Sequence, residues 1–76
     1  ALTNAANYSS YGTVLVNAFT GITSLTGTLE LLGDSSVAQA NTMNAATTGV
    51  VTAAVRDDAT ALATLTGTGN DYRITF

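Results

Sequence analysis

The expected fold depends mainly on residues 50–76, VVTAAVRDDATALATLTGTGNDYRITF. One strand register places most of their apolar side chains on one face and most of their polar side chains on the other. Turn-forming residues at 56–58 and 68–71 suit two hairpin loops. With these loops, a one-residue slip would move the last apolar residues onto the polar face. The segment therefore predicts a three-stranded antiparallel meander over about 50–76. Its apolar face comprises Val51, Val55, Leu65, Tyr72, Ile74 and Phe76, which are the candidates for core or assembly contacts.

The first half of the chain adds two expected strands. Residues 12–17 (GTVLVN) are rich in β-branched side chains, which favour a strand. Residues 25–31 (LTGTLEL) alternate between apolar or small and polar positions, which is typical of a half-buried strand. The sequence GDSS at 33–36 predicts a turn after it. Residues 1–10 are small, polar and aperiodic, and predict an N-terminal arm.

One helix is expected over about 36–48. Ser35 or Ser36 is suited to cap its first turn, and Gly49 stands where helices commonly end. Val37, Ala40 and Met43 recur at helical spacing. The 76 residues therefore predict one small β-rich (α+β) domain with an antiparallel sheet and one short helix.

An all-α helical hairpin is the alternative fold. Two sets of apolar residues also recur every three or four residues, as two helices require: Leu15, Phe19, Ile22, Leu25, Leu29 and Leu32, and then Val51, Val55, Leu62 and Leu65. The first such helix would contain Gly21, Gly27 and several threonines, each of which costs helix stability. This cost favours the β-rich fold.

Composition excludes most kinds of catalytic chemistry. The chain has no cysteine and no histidine, which removes thiol nucleophiles, histidine bases and the usual zinc ligands. Two arginines and a net charge of -3 are a poor match for a phosphate backbone, so nucleic acid is not an expected partner. The short apolar runs fall well below the roughly 20 residues of a membrane-spanning helix.

The carboxylates are the remaining candidates for metal or acid–base chemistry: Glu30, Asp34, Asp57, Asp58 and Asp71. In a meander, the acidic turns at 57–58 and 70–71 would lie at opposite ends of the sheet, about 25 Å apart. That distance is too large for a shared ion or a catalytic pair. We therefore expect no enzyme activity, no cofactor and no metal site.

Assembly is the expected role. Monomeric β proteins protect their sheet edges with lysine, proline or inward-pointing charge, whereas this chain has neither lysine nor proline. The first residue is Ala1, which favours a trimmed, secreted protein. The predicted function is a structural subunit of a self-assembling extracellular filament, pilus or surface layer. A small secreted module that binds carbohydrate or a surface is the alternative.

The threonine-, alanine- and glycine-rich composition and the β-rich ending resemble those of secreted pilin-type (fimbrial) filament subunits. The chain departs from the type IV pilin pattern, because it lacks a long apolar helix with an early glutamate. The resemblance implies a homopolymer at the cell surface, with copies of the chain, and also a second pilus subunit chain, as partners.

Overall fold

Four strands alternate with three short helices along the chain. The structure is a computed structural model, and it describes residues 6–67 and 69–75. All neighbouring strands are parallel, and their order in the sheet follows their order in the sequence. The elements are β1 (Tyr8–Tyr11), α1 (Gly12–Phe19), β2 (Leu29–Ser35), α2 (Val37–Ala46), β3 (Val51–Arg56), α3 (Ala59–Leu62) and β4 (Asp71–Thr75).

The strand register shows a repeating architecture. Tyr8 pairs with Leu29, and Leu29 pairs in turn with Val51. Further along β3, Ala53 pairs with Tyr72. These partners follow one another at nearly even spacing, so each unit of strand, helix and return loop is similar in length to the next and packs against it. A short unit of this kind, repeated along the chain, is typical of solenoid-like repeat proteins.

The helices cover one face of the sheet and leave the other face open. Along β3, Val51, Ala53 and Val55 are buried, whereas Thr52 and Ala54 between them are partly exposed. Helix α2 packs against α1, α3 and strands β2 and β3, so the helices form one layer. The core lies between this layer and the sheet. It comprises Leu15, Phe19, Leu25, Leu29, Leu31, Val37, Ala40, Met43, Ala46, Val51, Ala53 and Val55.

The predicted antiparallel meander over 50–76 is wrong. After β3 the Asp58 carboxylate accepts a hydrogen bond from the backbone N–H of Ala61 at 2.8 Å, which caps α3 instead of closing a hairpin. The chain then returns to the other end of the sheet before β4 begins. Strand β4 therefore runs parallel to β3. The fold is a small α/β fold, which also contradicts the all-α hairpin.

Residues 12–17 form the first part of α1, so the strand predicted there is wrong. Gly12, Leu15 and Phe19 are buried at helical spacing. Gly12 lies against the side-chain amide of Gln39 in α2, where a Cβ would come within 2.9 Å of the amide oxygen. Packing against the sheet and α2 thus outweighs the β preference of the two valines.

The alternation predicted over 25–31 is confirmed by burial: the four odd-numbered residues are buried and the three even-numbered ones are exposed. The strand itself starts later, at Leu29, and continues to Ser35. The turn predicted at 33–36 is wrong, because residues 33–35 extend the strand through a register shift between Leu31 and Asp34, and Ser36 caps α2. Gly33, with φ of +70°, lies within that shift.

Helix α2 occupies most of the segment predicted as helical. Ser36 accepts a hydrogen bond from the N–H of Gln39 at 3.1 Å, and the Gln39 side chain accepts one from the N–H of Ser36 at 3.0 Å. This reciprocal capping box starts the helix. Its inner face buries Val37, Ala40 and Met43.

Candidate functional site

Strand β1 forms one edge of the sheet. The N–H of Tyr8 donates to the carbonyl of Thr28 at 3.0 Å, so the backbone groups of Tyr8 point toward β2. Since successive residues of a strand present their backbone groups to opposite sides, those of Ser9 and Tyr11 point outward. The β1 edge is therefore defined by the outward backbone groups of Ser9 and Tyr11.

Strand β4 forms the other edge. The carbonyl of Thr75 accepts a hydrogen bond from the N–H of Asp57 at 3.3 Å, so the backbone groups of Thr75 point toward the β3 side. By the same alternation, the backbone groups of Tyr72 and Ile74 point outward. They define the β4 edge, which no other strand of the described residues covers.

Neither edge has a bulge or an inward-pointing charge to prevent strand addition, but β1 is only four residues long and β4 carries two charged residues. The sequence has no lysine or proline. The charged residues of β4, Asp71 and Arg73, pair with Thr52 and Ala54, so their side chains lie on the open face and do not point into the core. The register shift lies in β2, an interior strand, where it does not disrupt either edge. Both edges thus have outward backbone groups with which no strand of the described residues pairs.

The two edges of the sheet differ in how much of each is covered by a helix. At the β1 end, the ring of Tyr8 packs against that of Phe19 in α1, with centroids 5.1 Å apart. At the β4 end, the helix is the single turn α3, which buries none of its residues. Ile74 pairs with the buried Val55, yet it is 49% exposed. The helix side of β4 is therefore incompletely covered.

The open face carries a polar row across all four strands. Ser9 pairs with Glu30, Glu30 with Thr52, and Thr52 with Asp71. The Ser9 hydroxyl donates to a Glu30 carboxylate oxygen at 2.6 Å. Two shallow depressions of about 290 and 220 Å³ lie along this row, and Thr52 lines both. This row is polar, whereas Tyr11 and Leu32, which pair further along the same face, are exposed apolar residues.

The acidic residues outside this row have structural roles. One Asp57 carboxylate oxygen accepts a hydrogen bond from the first N–H of α2, on Val37, at 3.1 Å, and Asp58 caps α3. Asp34 lies 3.7 Å from the Arg56 guanidinium, and both side chains are largely exposed, so this pair adds little stability. Among residues 6–67 and 69–75, no three carboxylates cluster closely enough to hold a metal ion.

A polar cluster fastens the start of β4. The Asn70 side chain accepts a hydrogen bond from the N–H of Val51 at 2.9 Å, and it donates to Asn44 and to the Tyr72 hydroxyl, both at 2.9 Å. The Tyr72 hydroxyl donates to the carbonyl of Thr66 at 3.0 Å. Burial raises the pKa of Tyr72, and the hydrogen bond from Asn70 partly opposes that shift.

The predicted core or assembly residues take different positions. Val51 and Val55 are fully buried beneath the helices. Leu65 and Tyr72 are partly buried against the core, and Ile74 is exposed at the β4 edge. Phe76 lies outside the residues that the structure describes.

Sequence reasoning missed an internal repeat that marks the strand starts. Of the five threonine-glycine pairs in the sequence, three (26–27, 48–49 and 68–69) end two residues before the first residue of β2, β3 or β4. In the first two units these pairs pack together: a Cβ on Gly49 would lie 2.3 Å from the carbonyl oxygen of Gly27. Their nearly even spacing, of about 20 residues, is the signal that would have predicted a repeat.

Comparison with protein-family models, with curated proteins and with solved structures finds no match to this chain. Each helix in the described part of the chain is too short or too polar to cross a membrane.

Proposed function

We propose that the protein is a structural subunit of an extracellular filament or surface layer, in which copies assemble through the edges of their sheets. The single observation that carries this proposal is the pair of edge strands, β1 and β4, whose outward backbone groups are not paired with any strand of the described residues. A subunit with two such edges can join two neighbours, and the array is open-ended when the rotation between copies does not close it into a ring.

The composition supports the same role. Monomeric proteins discourage edge pairing, because an exposed row of N–H and C=O groups recruits further strands. Here the residues whose backbone groups point outward are serine, tyrosine and isoleucine, and the two charged residues of β4 have their backbone groups turned toward β3. The net charge of -3 is spread over 76 residues, so the repulsion between neighbouring copies is small.

The test compares the wild-type chain with an edge variant by sedimentation velocity and negative-stain microscopy. Ile74→Pro removes an N–H that points outward from β4 and leaves the hydrogen bonds to β3 in place. Ile74→Val keeps that N–H and most of the side chain, and serves as the matched control. We expect fibres or large arrays from the wild type and from Ile74→Val, and their loss in Ile74→Pro.

Circular dichroism of the Ile74→Pro variant establishes that its monomer is folded. A wild-type chain that stays near 7.6 kDa at every concentration would contradict the assembly proposal. The alternative role, a monomeric module that binds carbohydrate or a surface, would then be favoured.

A further inference from the structure

We infer that copies join head to tail, with the β4 edge of one copy pairing in parallel with the β1 edge of the next. This inference rests on the proposed function and specifies its partner surface. The joint extends the pattern within the subunit, where each strand lies parallel to the one before it. One continuous parallel sheet would then run along the filament.

The difference in helix cover gives the joint its direction. Ile74 is half-exposed on the helix side of β4, so a neighbour with helix cover would bury more of it. At the β1 end, α1 begins directly after Tyr11 and packs on β1, so a strand added there would lie beside a helix of eight residues. Pairing β4 with the β4 edge of a second copy would instead place two incompletely covered strands side by side. The head-to-tail joint therefore places Ile74 beside the first turn of α1 of the next copy, where it gains helix cover.

The register follows from the polar row on the open face. Extending that row across the joint places Asp71 beside Ser9 of the next copy, and Arg73 beside Tyr11 of the next copy. Arg73 and Tyr11 are both exposed on the open face. The Arg73 guanidinium then lies near the face of the Tyr11 ring, a favourable cation–π arrangement. This register brings no two like charges directly opposite each other at the joint.

A parallel joint also fixes the repeat distance of the filament. Each subunit contributes four strands to the continuous sheet. With adjacent strands about 4.8 Å apart, the subunit repeat measured along the sheet is about 19 Å. The strands would lie across the filament axis.

Two blocked variants test the pairing directly. Ser9→Pro removes an outward N–H from the β1 edge, and Ile74→Pro removes one from the β4 edge. Ser9→Ala is the control for the first, because it also loses the hydrogen bond to Glu30 but keeps the N–H. In a head-to-tail joint, the free β4 edge of Ser9→Pro fits the free β1 edge of Ile74→Pro.

We expect each proline variant alone to be monomeric and their equimolar mixture to form a dimer of about twice 7.6 kDa by sedimentation. A small fraction of Ile74→Pro added to wild type should shorten the fibres, because it blocks growth at one end. Arg73→Gln and Tyr11→Leu should each weaken the joint about 2- to 5-fold, whereas Tyr11→Phe should not.

Dimers formed by either proline variant alone would show like-with-like edge pairing and overturn the inference, although the filament proposal would stand. A wild type that forms no assembly would overturn the filament proposal itself. If a proline variant fails to fold, Ser9→Lys and Ile74→Lys repeat the mixing experiment, since lysine at an edge strand also opposes strand addition.

Discussion

The central unit β2–α2–β3 and the terminal unit β3–α3–β4 share one topology but are held together in different ways. Helix α2 has 10 residues and buries four of them, whereas α3 has four residues and buries none. Every second residue of β3 is buried, while β4 is mostly exposed. In the terminal unit, hydrogen bonds from Asn70 and Tyr72 take over part of the stabilising role of apolar packing.

This difference leaves one end of the sheet with less helix cover than the interior. Burial of apolar side chains stabilises the interior units, and this burial requires a helix that covers each pair of strands. Polar side chains fix the position of β4 without covering its helix side. The result is an ordered edge strand with an exposed Ile74, which suits the assembly proposed above.

The largest effect is expected at the closest backbone approach in the central unit. In Gly49→Ala the new Cβ would lie 2.3 Å from the Gly27 carbonyl oxygen and 2.7 Å from that of Thr26. Because backbone atoms must move, we expect the free energy of unfolding to fall by more than about 3 kcal/mol in urea melts.

Gly21→Ala provides the control for this substitution. Gly21 has φ of +84° and no atom near its Cβ position, so alanine there costs about 1 kcal/mol through the backbone alone. Equal losses in the free energy of unfolding of the two variants would show that the close contact between Gly27 and Gly49 does not exclude a Cβ at position 49.

The second prediction compares the helices. Met43 of α2 is fully buried, whereas Leu62 of α3 is half-buried. We expect Met43→Ala to lower the free energy of unfolding by about 2–3 kcal/mol and Leu62→Ala by about 1 kcal/mol. A larger loss for Leu62→Ala in thermal or urea melts would contradict the view that apolar packing is concentrated in the central unit.

The sequence predicted local patterns better than strand pairing. The alternation at 25–31 and the Ser36 cap are local features, and both are found in the structure. Strand direction is different, because the polar residues at 56–58 suit a hairpin turn and a helix start equally well. Asp58 caps a helix, so the chain crosses back over the sheet.

The candidate site was predictable in part. The absence of lysine and proline indicated unprotected edges, but their positions required the strand order. The spacing of the threonine-glycine pairs was visible in the sequence. In units this short, however, the apolar–polar alternation also fits a hairpin, so the sequence did not decide between a hairpin and a repeat. Ile74 is exposed because α3 is short. The pattern of apolar residues at 59–65 did not predict this helix.

The third prediction tests the polar fastening of the terminal unit. Asn70→Ala removes three hydrogen bonds, including the one from the N–H of Val51. Because the site is partly exposed and water replaces some of them, we expect a loss of about 2 kcal/mol in urea melts. Asn70→Asp keeps the acceptor for Val51 and should cost less. A loss for Asn70→Ala smaller than that of a single ordinary hydrogen bond would mean that β4 is held mainly by packing.

The smallest effect concerns Tyr72 and depends on pH. Tyr72→Phe loses the hydrogen bond to the Thr66 carbonyl and leaves one Asn70 donor without this partner, so we expect a loss of about 1 kcal/mol at pH 8. Burial raises the pKa of Tyr72 above its usual value of 10.0, so the folded state holds the phenol proton more tightly than the unfolded chain. The contribution of the phenol is therefore complete below pH 10 and is lost as the pH rises through the raised pKa.

Urea melts of both proteins should show their difference in stability shrinking above pH 10. A difference that stays constant up to pH 11 would contradict the burial of this hydroxyl and weaken the case for a polar fastening at β4.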